Sequence, residues 1–367
     1  MFAAGGGRTP VTSAAIKAFL DARKPILSGM LKFGLNLGDF LIRKNLKHMI
    51  VHVTNHCNFR CDHCFIDFSP KKDIRLEKIH KLAQSTGKLF WLDIGGGEPF
   101  LRKDLAEIVS AFDVQVVQIP SNGSLPDQMI EQLKRMRGMT KAEVAVSLSL
   151  DGLEVTHNRI RNEEDSWNRV WSTYERLKKL GGFPIKINTV ITTDNEHEIL
   201  DLMREVRRHD PDFHSIILLR GDPMKPETKL PSLERLRELG SEIFSILETY
   251  DYAQNAVSAH ILRNYHKYLW NVSLATLEAK RQVVPCLAGC SHMVVMGDGA
   301  VSSCEMLTPV GNINEQSWDK IMSSDIFKQQ VADIRAGKCH CTHNCAMLDS
   351  ILFNPKSFPH LLNQRVG

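Results

Sequence analysis

Short apolar runs rich in β-branched residues alternate with amphipathic helical patterns through the middle of the chain. Six such runs predict β-strands, at Ile50–Thr54, Leu89–Ile94, Val114–Ile119, Val144–Leu150, Ile185–Thr192 and Ser215–Leu219. Apolar residues recur at helical spacing near 76–87, 102–112, 125–137, 167–180, 196–208 and 231–250. Strands that alternate with helices build βαβ units and a parallel sheet. Such a sheet forms a barrel or an open doubly wound sheet, and both bind ligands at the carboxyl ends of their strands.

The pattern changes on both sides of this alternation. Residues 12–46 carry apolar side chains at helical spacing with Lys and Arg between them. This predicts a helical extension packed on the main domain, and the alternative is a basic amphipathic face that touches a membrane or a lipid-like substrate. The last part has short strand-like runs at Met293–Met296 and Ala300–Ser303 and a helix near 317–335. We therefore expect an N-terminal helical extension at 1–47, a core α/β domain at 48–255 and a small cysteine-rich α+β domain at 256–367.

Composition and charge narrow the class of protein. The 367 residues are 43% hydrophobic and 24% charged, which excludes a disordered chain. The net charge of +4 argues against nucleic acid as the main partner. Because no apolar run reaches the length of a membrane span and no signal pattern opens the chain, we expect a cytoplasmic protein. Nine cysteines in such a reducing compartment indicate metal or redox chemistry and not disulfides.

Three cysteines follow the first predicted strand directly. Cys57, Cys61 and Cys64 have Cx₃Cx₂C spacing on a strand-to-helix loop, where a barrel of this class carries its chemistry. Thiolates are the usual ligands of iron–sulfur clusters, and three of them leave one iron of a four-iron cluster open to a small molecule. The alternative is a zinc site that takes a fourth ligand from His56 or His63.

Further motifs follow the next strands in order. Gly95-Gly96-Gly97-Glu98-Pro99 comes after the second strand; its glycines allow close approach of the backbone to a ligand, and Glu98 could accept from an ammonium group. Ser121-Asn122-Gly123 follows the third strand, and Ser149-Leu150-Asp151-Gly152 with Arg161 follows the fourth. Taken alone, Asn122-Gly123 is also compatible with a plain turn, and Arg161 with a surface ion pair to Glu163 or Glu164.

With the cysteine loop, these motifs make residues 48–220 resemble the radical S-adenosylmethionine (SAM) enzymes. The resemblance implies a partial (β/α)₆ TIM-like barrel with a [4Fe–4S] cluster at Cys57, Cys61 and Cys64. It implies SAM bound at the open iron by Gly96, Gly97, Glu98, Pro99, Asn122, Ser149, Arg161 and Asn188. An external one-electron reductant such as flavodoxin or ferredoxin would drive SAM cleavage to a 5′-deoxyadenosyl radical, which takes a hydrogen atom from a substrate C–H bond.

A second set of cysteines lies near the C-terminus. Cys286-x₁₂-Gly299-x₄-Cys304 and Cys339-x-Cys341-x₃-Cys345 resemble an abbreviated SPASM extension of radical SAM enzymes, of the kind called a twitch domain. This implies at least one auxiliary [4Fe–4S] cluster, for which the best expected ligands are Cys286, Cys290, Cys304 and Cys345. Cys339 and Cys341 could substitute for one of these, or could form part of a second cluster with His340 or His343. A zinc ribbon is the alternative.

The reaction itself is less constrained by the sequence. Asp151, Arg220, Asp222 and Glu305 are candidate acid–base or substrate-orienting residues, although Arg220 and Asp222 could equally form an ion pair that closes a turn. The resemblance implies a radical SAM oxidoreductase or maturase that oxidises, crosslinks or epimerises a peptide, sugar-like or lipid-like substrate. The alternative is a non-catalytic iron–sulfur or zinc protein that acts as an electron carrier or scaffold.

Overall fold

Six parallel strands form the main sheet of the computed structural model, which describes residues 34–69, 71–252 and 256–365. They are β1 (His48–Thr54), β2 (Leu89–Gly96), β3 (Val114–Ser121), β4 (Glu143–Ser149), β5 (Ile185–Ile191) and β6 (Phe213–Leu218). Each strand pairs in parallel with the next one along the chain. This confirms the α/β class and the partial (β/α)₆ barrel, and every predicted strand boundary lies within two residues of the observed one.

Helices cover the outer face of this sheet. They are α1 (Leu76–Thr86), α2 (Leu105–Ser110), α3 (Pro126–Met139), α4 (Glu154–Arg161), α5 (Ser166–Leu180), α6 (Ile199–His209) and α7 (Leu233–Leu247). Apolar strand residues such as Val51, Val117 and Ile187 are fully buried in the core under these helices. Helix α4 was not predicted, because three of the four residues that it buries are polar, including His157, so apolar periodicity gives no signal there.

The opposite strand face lines the inside of the barrel, which we call the lumen. Residues in register on neighbouring parallel strands point to the same face. His48 and His52 of β1 are in register with Trp91 and Gly95 of β2, and Asp93 lies between the latter two. The lumen is therefore unusually polar for the interior of a domain, which suits a ligand-binding chamber.

The C-terminal part continues the barrel sheet. Its elements are α8 (Ala256–Ala279), β7 (His292–Val295), β8 (Ala300–Ser302), β9 (Gly311–Asn312), α9 (Trp318–Ser323), α10 (Asp325–Arg335), α11 (Asn344–Leu352) and α12 (Phe358–Leu362). Strand β7 pairs in parallel with β1, and β8 and β9 follow in antiparallel pairing, so one nine-stranded sheet results. The expected boundaries at 47 and 255 stay predictions.

Two helical predictions differ from the structure in this part. The helix expected near 317–335 is broken in two at Ser324, whose extended backbone (ψ 149°) lets its side chain accept from the Phe327 N–H and begin α10. The long helix α8 was not predicted, because it buries polar and apolar side chains such as Asn264 and Trp270 together.

The N-terminal extension is described only in part. Residues 34–43 are helical, and Phe40 packs on the Phe353 ring with 4.9 Å between centroids. The remainder of the helix predicted over 12–46 lies mostly outside the described residues. Among the residues that the structure describes, no helix has the length and apolar character needed to cross a membrane.

Candidate active site

The first three cysteines lie on the loop after β1, at the carboxyl end of the barrel. The Phe59 N–H donates to Cys57 Sγ over 3.4 Å, and Arg161 Nη1 donates to Cys61 Sγ over 3.6 Å. Burial raises the pKa of all three thiols, and that of Cys61 reaches about 12. Metal binding would therefore release protons here, because thiolates are the ligating form.

The glycine segment crosses directly over this cysteine loop. Gly97 N donates to Thr54 O (2.8 Å), and Glu98 N donates to His56 O (2.9 Å). A Cβ on Gly96 would lie 2.2 Å from Thr54 O, and one on Gly97 would lie 2.0 Å from His56 O. The two glycines are therefore required for contact between two backbone segments, and the expected contact of this segment with SAM stays a prediction.

Glu98 is buried beside this crossing. Its carboxylate accepts from Asn122 N (2.8 Å), Ser121 Oγ (3.0 Å) and Phe100 N (3.2 Å). Burial raises the pKa of Glu98 to about 7, although these donors act in the opposite direction. Asn122 Nδ2 lies 3.9 Å from Cys57 Sγ. Asn122 therefore lies between the Glu98 carboxylate and the cysteine loop and contacts both.

Arg161 and Asp151 form a buried ion pair on the other side of the loop. Asp151 also accepts from Val190 N (2.9 Å), while Arg161 Nε is buried without a partner among the described residues. Burial raises the pKa of Asp151, but the neighbouring Arg161 and His63 lower it by more. The surface pair between Arg161 and Glu163 or Glu164 is therefore not formed. Asp151 orients Arg161, and its suggested acid–base role stays a prediction.

The remaining expected SAM contacts and the zinc alternative can be compared with this geometry. Ser149 and Asn188 are in register on β4 and β5 and are both partly exposed at the same end of the barrel. His56 is exposed, and His63 Nε2 faces Asp151 Oδ2 at 3.8 Å. Among the described residues neither histidine has a recorded contact with a cysteine sulfur, which does not favour a zinc site.

The six C-terminal cysteines divide into a group of four and two that lie apart. The four influence one another's ionisation and are Cys286, Cys304, Cys339 and Cys341. Burial, together with the neighbouring thiols, raises the pKa of Cys286 to about 11. Cys286, Cys304 and Cys339 also pack around Ala288 and Ile334. We call these four the auxiliary cysteine group.

Cys290 and Cys345 make contacts outside the auxiliary cysteine group, so the expected ligand set of Cys286, Cys290, Cys304 and Cys345 stays a prediction. Cys290 is in a tight turn that directs its Sγ toward Lys44 O, at 4.0 Å. Cys345 lies in the first turn of α11 and donates to Asp93 Oδ2 in the lumen, at 3.3 Å. Burial raises the pKa of Cys345 well above that of an ordinary thiol, so this side chain is protonated. Cys339 and Cys341, which the sequence offers as substitutes in that set, lie near Cys286 and Cys304.

Arg220 lies between the two cysteine sites. Its guanidinium covers the Phe65 ring with 5.0 Å from Cζ to the centroid, and its Nε is buried without a partner among the described residues. Burial raises the pKa of Cys64 and of Cys341, and the charge of Arg220 opposes both rises. Asp222 is exposed and forms no ion pair with Arg220, so the alternative of a turn-closing pair is wrong.

Glu305 joins the barrel to the C-terminal part. It accepts from His52 Nε2 (2.6 Å) and pairs with His343 Nε2. Burial would raise the pKa of Glu305, but the two histidines hold it well below the ordinary value. Glu305 is therefore a weak base, and the geometry favours a role in orienting His52 and His343.

Several lumen residues were not found from the sequence. His48 bridges Asp93 Oδ2 and Asp349 Oδ1, at 3.2 Å each, and Asp349 also binds His292 Nδ1 at 3.1 Å. Lys186 is buried with its Nζ 3.1 Å from Gln118 Oε1, and burial lowers its pKa. The signal that could have found these residues is the presence of polar side chains at alternate positions of otherwise apolar strands.

Two family models match the chain. Residues 51–206 match the model of the radical SAM superfamily, and residues 286–346 match the SPASM model, described as an iron–sulfur cluster-binding domain. Together they match more than half of the chain, and their ranges contain the two cysteine sites described above.

Curated relatives match stretches of different length in this chain. GTP 3′,8-cyclase of Helicobacter pylori (strain HPAG1) is 27% identical over 236 residues, which are 61% of this chain and 71% of that protein. GTP 3′,8-cyclase of Trichodesmium erythraeum (strain IMS101) is 25% identical over 308 residues, which are 77% and 89%. The chain spans about half, 54%, of the matching cyclase of Clostridium botulinum (strain Hall).

Solved structures share the fold. The structure of anSMEcpe with bound AdoMet has a TM-score of 0.58 and 16% identity, and the match covers 87% of this chain and 98% of that one. Streptococcus suis SuiB bound to precursor peptide SuiA has a TM-score of 0.59 and 15% identity, and the match covers 90% and 74%. At these identities the likeness concerns the fold alone.

Proposed function

The chain belongs to the radical SAM superfamily and carries a C-terminal SPASM domain, and from this premise we propose that it oxidises a substrate held between two iron–sulfur clusters. It is an enzyme, and it uses SAM, a [4Fe–4S] cluster and at least one auxiliary cluster. The substrate would lose one hydrogen atom and then one electron and one proton. Crosslinking shares this two-electron balance with simple oxidation.

The donor set after β1 fits the first cluster and SAM. We propose that Cys57, Cys61 and Cys64 hold the cluster, since N–H groups already donate to two of these sulfurs. Glu98 would orient the amino group of SAM, and the free Arg161 Nε would face its carboxylate. When bound, the cluster and SAM supply a 5′-deoxyadenosyl radical that removes hydrogen from a C–H bond.

The donor set of the C-terminal part fits one auxiliary cluster. We propose that Cys286, Cys304, Cys339 and Cys341 hold it, because four grouped thiols satisfy all four irons. Full thiolate ligation leaves no open iron for the substrate. The role of this cluster would then be to accept an electron from the substrate, which supports oxidation as the outcome.

The observation that carries the proposal is the place of Arg220 between these two donor sets. In the described part of the chain, no carboxylate lies within 4.0 Å of its guanidinium, and its Nε is buried and unpaired. A cation that is partly removed from water favours an anionic partner. We therefore propose a substrate with a carboxylate or phosphate group, which Arg220 would hold at the carboxyl end of the barrel.

The relatives are compatible with such an anion and leave its class open. The printed name of the Helicobacter pylori relative refers to GTP, and the SuiB structure contains a precursor peptide. Both a nucleotide and a peptide carry anionic groups. We propose a small-molecule or peptide substrate and an external one-electron reductant.

Cys345 favours a second candidate function, which is epimerisation. Its thiol is protonated, lies in the lumen and is outside the auxiliary cysteine group. Such a thiol could return a hydrogen atom to a substrate radical, so that no net oxidation occurs. In D₂O the product would then carry solvent deuterium on carbon, and Cys345→Ala would abolish this label.

A substrate-independent experiment tests the main proposal. The reconstituted enzyme would be incubated with SAM, a reductant and extracts of cells grown in D₂O, separated into small-molecule and peptide fractions. Abstraction from the true substrate transfers deuterium to 5′-deoxyadenosine, which mass spectrometry detects. We expect transfer from one fraction with the parent protein and much less with Arg220→Ala. Equal transfer by both proteins would contradict the role of Arg220, and SAM cleavage without transfer from either fraction would contradict hydrogen abstraction from a substrate.

A further inference from the structure

A groove of about 400 Å³ lies on the outer face of the C-terminal part, beside α10. Its floor is apolar and its rim is basic; the floor includes Leu46, Met322, Phe327 and Val331, and the rim consists of Lys44, Lys328 and Arg335. All three rim side chains are exposed, and none of the described residues that line the groove is acidic. We call this surface the α10 groove.

The α10 groove is separated from the auxiliary cysteine group by one layer of side chains. Val331 lines the groove, whereas Ile334 on the same helix packs with Cys286, Cys304 and Cys339. Gly289, also at the groove, lies so close to Ser303 that a Cβ there would be 2.8 Å from Ser303 Oγ. Ser303 directly precedes Cys304, so the residues at the back of the groove also surround these cysteines.

Charge distinguishes between the possible occupants. One candidate occupant is the segment 1–33, but it contains five basic side chains and one acidic one, so the basic rim would repel it. A second copy is disfavoured for the same reason, since the chain has a net charge of +4. Lys328 has a neighbouring carboxylate, Asp325, at 3.5 Å, while neither Lys44 nor Arg335 has a carboxylate within 4.0 Å among the described residues. The groove is therefore complementary to an acidic partner with an apolar contact patch.

We propose that the α10 groove docks a small acidic one-electron carrier protein. The inference rests on the proposed auxiliary cluster and gives it a route to the surface. A cluster held by the auxiliary cysteine group would pass the electron that it accepts from the substrate to the oxidised carrier, and no bond would be formed or broken in this transfer. In the reverse direction, the reduced carrier would return one electron to the oxidised cluster by the same route.

The test uses reconstituted holoprotein and a flavodoxin as the probe. Binding of the oxidised flavodoxin would be measured by titration calorimetry at low and high salt, for the parent and for the double variant Lys328→Glu/Arg335→Glu. The matched control is Lys134→Glu/Lys179→Glu, which makes the same charge change on exposed helix residues of α3 and α5. We expect the groove variant to bind about tenfold more weakly, the control to bind like the parent, and salt to weaken parent binding.

Each other outcome would overturn the proposal. Equal affinities of the two double variants would mean that the rim does not contact the carrier, and salt-independent binding would exclude the charge argument. Tighter binding after deletion of residues 1–33 would mean that the chain's own segment occupies the groove. In anaerobic stopped-flow measurements, reduced flavodoxin should bleach the cluster absorbance more slowly in the groove variant than in the parent, because the groove variant binds flavodoxin more weakly.

Dithionite separates this proposal from the proposed function. It reduces the protein without docking, so SAM cleavage driven by dithionite should be the same in the parent and in the groove variant. If the parent protein does not cleave SAM with dithionite, the proposed function is contradicted. If the parent cleaves SAM but binds flavodoxin only weakly, the docking surface is contradicted.

Discussion

Replacing Glu98 by Gln tests the SAM pocket most sharply. The carboxylate is buried and held by Ser121, Asn122 and Phe100, so it is preorganised to accept a hydrogen bond from an ammonium group. A hydrogen bond to a charged group contributes about 1.5–3 kcal/mol. Since about 1.4 kcal/mol is tenfold in affinity, Glu98→Gln should bind SAM roughly 10- to 150-fold more weakly.

The assay is equilibrium binding of SAM to anaerobically reconstituted protein. Iron content must equal that of the parent, because a lost cluster would also lower affinity. Glu77→Gln is the matched control, since Glu77 is exposed on α1 and pairs with Lys81 at 2.6 Å. Unchanged SAM affinity in Glu98→Gln with full iron content would refute the assigned contact.

Three further outcomes follow from the geometry. Because burial raises the pKa of Glu98 to about 7, its ionised fraction rises about tenfold from pH 6 to pH 8, and SAM affinity should increase over that range in the parent but not in Glu98→Gln. Asp151→Ala leaves Arg161 buried without its partner and should cost about 3–5 kcal/mol of folding stability, seen as a lower melting temperature; a melting temperature equal to that of the parent would contradict the buried pair. Cys339→Ala should lose about four irons per chain while Cys290→Ala keeps them, and the reverse pattern in an iron assay would restore the ligand set expected from the sequence.

The barrel could be predicted from the sequence because its strands carry strong local signals. The run Ile185–Thr192 has β-branched residues on the buried face, and the motifs at the strand ends fix the order of the units. The cysteine loop and the Glu98 segment could be found for the same reason, since close spacing along the chain keeps residues close in space. Helix α4 was missed because most of the residues that it buries are polar, and such residues carry no apolar periodicity.

The contacts of the auxiliary cysteines could not be predicted because they depend on the direction of each side chain. Cys286 and Cys290 are separated by only three residues, yet a turn sends their side chains to different surfaces. Cys345 follows Cys341 by four positions but faces the lumen and Asp93. Spacing alone cannot show the direction of a side chain. The contacts of His48 with Asp93 and Asp349 likewise depend on tertiary structure.

The most direct measurement of the central claim is the formation of 5′-deoxyadenosine. Anaerobic, reconstituted protein would be mixed with SAM and dithionite, and the product would be quantified by chromatography. The variant with Cys57, Cys61 and Cys64 all replaced by Ala is the comparison. We predict 5′-deoxyadenosine from the parent protein and none above background from the variant. Equal product from both proteins, or none from a parent whose first cluster is fully loaded and binds SAM, would contradict the assignment of this loop as the site of radical initiation.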